Sequence, residues 1–205
     1  IENNLNVAAG KKTISSKIKV YCEDSIGIMY CKSFLPKQIK EKIEFVTGMD
    51  LPWTVYKTMY QHKVPEFLNN IIVLDGDVKN QDLGWKKYPH NKNITFLPTL
   101  DAPERMIYNM IYNIDETDEF WDNSLSGYSK AVCFRNYPNR IDNIDDIKMW
   151  FKEQKEYAGR AYSKFLNEWK NRNPELVEKF IEEFIKTYNY VANKTGFDLI
   201  NVDIL

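Results

Sequence analysis

Two short acidic stretches each close an apolar run. In "IIVLDGD", four consecutive apolar residues, Ile71 to Leu74, lead directly into Asp75 and Asp77 with Gly76 between them. In "KIKVYCE", Ile18, Val20 and Cys22 alternate at period two and lead to Glu23, with Asp24 next. Carboxylates two apart on extended backbone project to one side, and the intervening glycine leaves room for a ligand or a sharp bend. Hard cations such as Mg²⁺ or Mn²⁺ take oxygen ligands, and Mg²⁺ binds through one or two carboxylates plus substrate phosphates. Crowded anionic groups repel one another unless a cation neutralises them. Asp75, Asp77 and Glu23 are therefore the candidate metal ligands and catalytic residues. Asp-Gly is also common turn chemistry, and "DGD" alone would carry no more than that. The second acidic strand end is what favours the metal.

The elements that must position these groups follow from periodicity. Residues 1–16, "IENNLNVAAGKKTISS", are small and polar without a sustained period and read as a leading linker. "KIKVYCE" is the first strand, and Ile26, Met29, Tyr30 and Phe34 then have the spacing of a helix that Pro36 stops. "KIEFVTG" is a second strand closed by Gly48. Residues 52–68 follow as one interrupted helix, which Pro65 breaks late. The unbroken run Ile71 to Leu74 suits a central strand of a parallel sheet, covered by helices on both faces. A polar loop over 78–92 precedes a fourth strand, "NITFLP", and a helix with Met106, Ile107, Met110, Ile111 and Ile114 on one stripe.

This alternation of strand and helix predicts an α/β layer over about residues 17–115. In such open sheets ligands bind beyond the carboxyl ends of the strands. If the first and third strands are neighbours, Glu23, Asp24, Asp75 and Asp77 converge there.

From about residue 142 the pattern is helical only. Tyr162, Phe165, Leu166 and Trp169 share one face, and Leu176, Val177, Phe180, Ile181, Phe184, Ile185 and Tyr188 share another. Such stripes read as core, and the part they form as a helical appendage on the sheet. Asn173 as N-cap, Pro174 at the first position and Gly196 past the end delimit the last helix.

A glutamate ending the first strand, a helix, and then DxD ending a later apolar strand resemble the Toprim domain shared by topoisomerases, primases and the OLD-type nucleases. "FLPTLDAPERMIYNMI" is similar to a segment that follows DxD in Toprim domains fused to ABC-type ATPases. The resemblance covers about residues 17–115. It implies a Toprim-like, mostly parallel sheet flanked by helices, with a linker at 1–16, the α/β domain at 17–140 and a C-terminal helical appendage at 141–205. It also implies Mg²⁺- or Mn²⁺-dependent DNA cleavage in bacterial anti-phage defence, with Asp75 and Asp77 as the metal pair and Glu23 completing the site or moving the proton. The expected partners are DNA, an ATPase domain outside this chain, possible further copies of the chain and a possible partner nuclease. The chain departs from the OLD pattern, which reads Glu-Gly after the first strand and places another acid four residues past the glutamate. Here Asp24 follows Glu23 and the fourth position is Gly27, so Asp24 either replaces that acid or caps the helix. A non-catalytic Toprim module that docks a partner, and an unrelated α/β phosphotransfer domain, are the alternatives.

Other residues carry weaker signals. Asp101-x-x-Glu104 has the spacing of a capping box, so Glu104 reads as a cap more than a ligand. Lys79, Lys86, Lys87, His90 and Lys92, mixed with Trp85 and Tyr88, suit a phosphate backbone or an ordinary solvated loop. Lys130, Arg135 and Arg140 are the candidates for the basic residue that Toprim nucleases bring to the scissile phosphate. His62 reads as structural or exposed more than catalytic.

Composition bounds the rest. With 205 residues, 43% hydrophobic and 28% charged, the chain is expected to fold around one substantial core. Its net charge of −1 means that a nucleic acid would have to meet a local basic surface. No apolar run is long enough for a membrane helix and no signal peptide is visible, so a cytoplasmic, non-membrane protein is expected. Cys22, Cys31 and Cys133 form no CxxC pair and suit reduced thiols. Phosphate-loop and GxSxG patterns are missing, which excludes those two chemistries. The start at Ile1 without methionine is read as the cut end of something longer.

Overall fold

A computed structural model of the chain describes residues 17–48, 52–80, 92–122, 128–158 and 162–201. Four strands, β1 (Ile18–Cys22), β2 (Ile43–Phe45), β3 (Ile71–Leu74) and β4 (Ile94–Phe96), form one all-parallel sheet in the order β2-β1-β3-β4. Parallel strands must be joined by crossovers, and helices make two of them. α1 (Ser25–Phe34) and α2 (Lys37–Lys40) link β1 to β2, and α3 (Trp53–Gln61) and α4 (Pro65–Leu68) link β2 to β3. After β4 come α5 (Pro103–Asn113), the short α6 (Glu119–Asp122) and α7 (Lys130–Cys133), then α8 (Ile144–Ala158), α9 (Tyr162–Arg172) and α10 (Pro174–Thr195). The fold is α/β with a helical C-terminal part, as the periodicity predicts.

Alternation along the strands divides the core. Ile18, Val20, Cys22, Ile71 and Val73 face a large cluster that reaches through Phe34, Tyr108, Trp150 and Trp169 to Phe180 and Phe184. Tyr21, Ile72 and Leu74 face a smaller one built on Tyr56 and Phe67 of α3 and α4. All four residues of β3 are at most 1% exposed, because both faces are covered. The C-terminal stripes are core: Phe165, Leu166, Trp169, Val177, Phe180, Phe184, Ile185 and Tyr188 are all buried. Cys22, Cys31 and Cys133 are buried free thiols. Among the described residues no helix is long and apolar enough to cross a membrane.

Two local expectations need correction. Residues 52–68 form two helices, not one: the chain reverses at Lys63, which adopts φ 52°, and Pro65 occupies the first turn of α4 instead of breaking a continuing helix. The backbone at "DGD" is not extended beyond Asp75, since Gly76–Asn80 coil into a 3₁₀ helix. Alternation along a strand therefore cannot be what places Asp77.

Candidate metal centre

β1 and β3 are hydrogen-bonded neighbours, with Cys22 opposite Val73. Glu23 and Asp75 consequently leave adjacent strands at the same carboxyl edge. They are joined directly: Glu23 Oε1 accepts the backbone N–H of Asp75 at 3.0 Å, and its Oε2 accepts that of Trp53, the first residue of α3, at 3.2 Å. The side chain of Glu23 thus ties the end of β3 to the start of α3, where the helix dipole favours an anion. A carboxylate has about four acceptor positions, so each oxygen retains one.

Asp24 is the N-cap of α1, its Oδ1 accepting from Ile26 N at 2.8 Å and from Gly27 N at 2.9 Å. Of the two roles open to it, capping is the one the geometry displays. Gly27 is buried at the contact between α1 and β1, where an added Cβ would stand 3.1 Å from Cys22 Cβ. A Cβ there is a tight contact that Cys22 must yield to by a few tenths of an ångström. Gly76 is more constrained, for an added Cβ would lie 1.7 Å from the carbonyl oxygen of Thr99. The glycine of "DGD" is required because the loop after β4 crosses directly over it.

Glu104 does not belong to a capping box. Pro103 takes the first helical position, which makes Ala102 the N-cap, and no side chain caps α5. Asp101 instead accepts from Ala102 N at 2.7 Å. Glu104 is 6% exposed and turned inward, and it is the group the sequence reading undervalued.

The electrostatics define a carboxylate cluster. Burial pushes Asp75 up from 3.8 to about 8, and Glu23, Asp24, Asp77 and Glu104 each push further. Burial also raises Glu23; the N–H groups of Asp75 and Trp53 pull it back, while Asp77 and Asp24 add to the rise. Glu104 is raised by burial, with its own backbone N–H and Lys148 opposing and with Asp24 and Asp77 reinforcing.

Oxygen-only donors beside a strained carboxylate suit a hard cation. Among the described residues no group of three or more His, Cys, Asp or Glu is arranged to enclose an ion. Mg²⁺ does not need such a cage, because one or two carboxylates with water and phosphate satisfy it. Asp75 and Asp77 fit that requirement.

No family model, curated protein or solved structure matches this chain. Its chemistry is therefore read from its own side chains.

Lys130, Arg135 and Arg140 are not at this site. They gather around Tyr112, near the C-terminal end of α5, and Lys130 Nζ donates to Ile114 O at 2.8 Å. Glu104 sits at the other end of that helix, whose 11 residues span about 16 Å. The cation that acts on Glu104 is Lys148 of α8. Lys148, Lys152 and Glu104 line a cavity of about 220 Å³ with Ser25 and Ile26 at the start of α1. No local motif marks Lys148, which is brought there by α8 packing on α5. Lys86, Lys87, His90, Trp85 and Tyr88 lie outside the described residues, and His62 is exposed at the end of α3.

Proposed function

We propose that this chain is a metal-dependent phosphodiesterase domain acting on DNA, of the Toprim kind that OLD-type ATPase-linked nucleases carry. The observation that carries the reading is the gathering of Glu23, Asp24, Asp75, Asp77 and Glu104 at the carboxyl edge of a parallel sheet, with Asp75 pushed up to about 8. Asp75, Glu23 and Glu104 are each raised by burial and by neighbouring carboxylates, a repulsion that a cation held by one or two of them would relieve.

Asp75 and Asp77 would hold Mg²⁺ or Mn²⁺. A bound ion of this kind supplies Lewis-acid stabilisation of charge on a phosphate and lowers the pKa of water. Glu23 fixes the backbone at Asp75. Lys148 and Lys152 place positive charge beside the carboxylates, where a phosphate can be neutralised. The resemblance extends the proposal to a cytoplasmic, ATPase-linked, anti-phage role with self-association.

A non-catalytic docking module is the second reading. It is favoured by Gly27, which stands where OLD nucleases carry an acid, and by the two backbone bonds that Glu23 already accepts.

Cleavage of supercoiled plasmid by the intact protein in Mg²⁺ or Mn²⁺ separates the two. The nuclease reading expects cleavage that Asp75→Asn abolishes and Lys148→Met reduces by about a hundredfold or more. Cleavage unchanged in folded D75N removes that role from Asp75. A wild type that binds the metal and cuts nothing supports the docking module.

A further inference from the structure

β4 is the edge strand of the sheet, and a groove of about 410 Å³ runs along it, walled on the far side by α10. Three lysines face this groove from different parts of the chain: Lys79 from the 3₁₀ helix, Lys92 from the turn before β4 and Lys186 from α10. One carboxylate, Glu183, opposes them, and its Oε2 lies 3.8 Å from Lys79 Nζ. Among the described residues Lys92 and Lys186 have no carboxylate within ion-pair distance. Ammonium groups facing one another across a concave surface raise its potential, and an anion between them relieves the repulsion.

The floor and walls carry independent signs of a polar ligand. Thr95 is 3% exposed and lines the groove, yet among the described residues its hydroxyl has no hydrogen-bond partner. A buried unmet hydroxyl calls for an oxygen from outside. Asn93 O accepts from Ile72 N at 3.0 Å and Leu97 N donates to Leu74 O at 2.8 Å, so these residues turn toward β3. Ile94 and Phe96 must then direct their backbone N–H groups outward along the open edge. Rings cover the two ends: Lys92 Nζ is 5.9 Å from the centre of Tyr190, and Lys79 Nζ is 5.8 Å from that of Phe96. Aromatic faces beside cations are what a nucleotide strand meets in sequence-tolerant binding.

We propose that the groove between β4 and α10 binds phosphate groups, with Lys92 and Lys186 meeting the oxyanion from opposite walls and Thr95 beneath it. Phosphate on a nucleic-acid strand and free inorganic phosphate share this chemistry. The segment 81–91, between Asn80 and Lys92 in the chain, lies outside the described residues. The carboxylate cluster is not used, so the proposal stands or falls apart from the metal reading.

The test is binding to the full chain in EDTA at low salt, with fluorescein-labelled oligothymidylate followed by anisotropy and pyrophosphate followed by calorimetry. Lys92 and Lys186 are both exposed, so Lys92→Ala with Lys186→Ala removes charge without opening the core. Saturable oligothymidylate binding that this double variant weakens by about tenfold or more, with a salt slope smaller by about 1.4 for two lost contacts on a single strand, is expected. Thr95→Val should weaken binding further. Pyrophosphate binding with the same losses, and none by the oligonucleotide, supports the site and identifies its occupant as free phosphate. No saturable binding of either probe at low salt, or binding that the lysine variant does not change, overturns the proposal.

Discussion

Asp75→Asn isolates the cost of crowding carboxylates at the sheet edge. Asp75 is pushed from 3.8 to about 8, so the folded protein holds this proton far more tightly than the unfolded chain does. The stability contributed by that proton is full below pH 3.8 and is lost as pH rises through about 8. At about 1.36 kcal/mol per pH unit, the whole window corresponds to a ceiling of roughly 6 kcal/mol. Asp75 is only partly covered in the structure, and effective dielectrics at such sites are high, so about 2–3 kcal/mol is expected. Without divalent cations, urea unfolding of the wild type should give a midpoint that falls between about pH 5 and pH 8.5, with the slope of the unfolding line unchanged. The D75N variant should lose much less over that range, and the residue of the effect belongs to Glu23 and Glu104, which are raised in the same direction. Added Mg²⁺ should restore the wild type at the alkaline end, by about 2.7 kcal/mol at a hundred times its dissociation constant. Parallel losses in wild type and variant would refute the crowding argument.

Two substitutions test the scaffold around the cluster. Gly76→Ala brings a Cβ to 1.7 Å from the Thr99 carbonyl oxygen, a backbone atom that no rotamer change can move, and should cost about 3 kcal/mol or more by urea unfolding. Stability within about 1 kcal/mol of wild type would mean the crossing loop yields freely. Glu23→Ala leaves the N–H groups of Asp75 and Trp53 without their acceptors, at about 1–3 kcal/mol in total for part-buried donors. Glu23→Gln, which keeps one oxygen acceptor, should recover part of that loss in thermal unfolding.

The sheet was readable because β3 is four apolar residues with no polar interruption, and β1 alternates cleanly. Strand order was not, since nothing local in "KIKVYCE" or "IIVLDGD" says that the two strands pair. Their adjacency is a long-range result of α10 and α1 packing on one face and α3 and α4 on the other. Glu23, Asp75 and Asp77 were visible as acids at strand ends. Glu104 was misread because D-x-x-E matches a capping box, although Pro103 between them already shifts the helix start by one residue. Lys148 had no signal at all, as it reaches the site from α8 across tertiary contacts.

The most direct test of the account is Mg²⁺ and Mn²⁺ titration calorimetry on the wild type and on the Asp75→Asn, Asp77→Asn double variant, at a pH above the range in which Asp75 holds its proton. Saturable binding to the wild type that disappears in the folded double variant is the predicted result. Binding of equal affinity in both proteins would contradict the assignment of the metal to this aspartate pair.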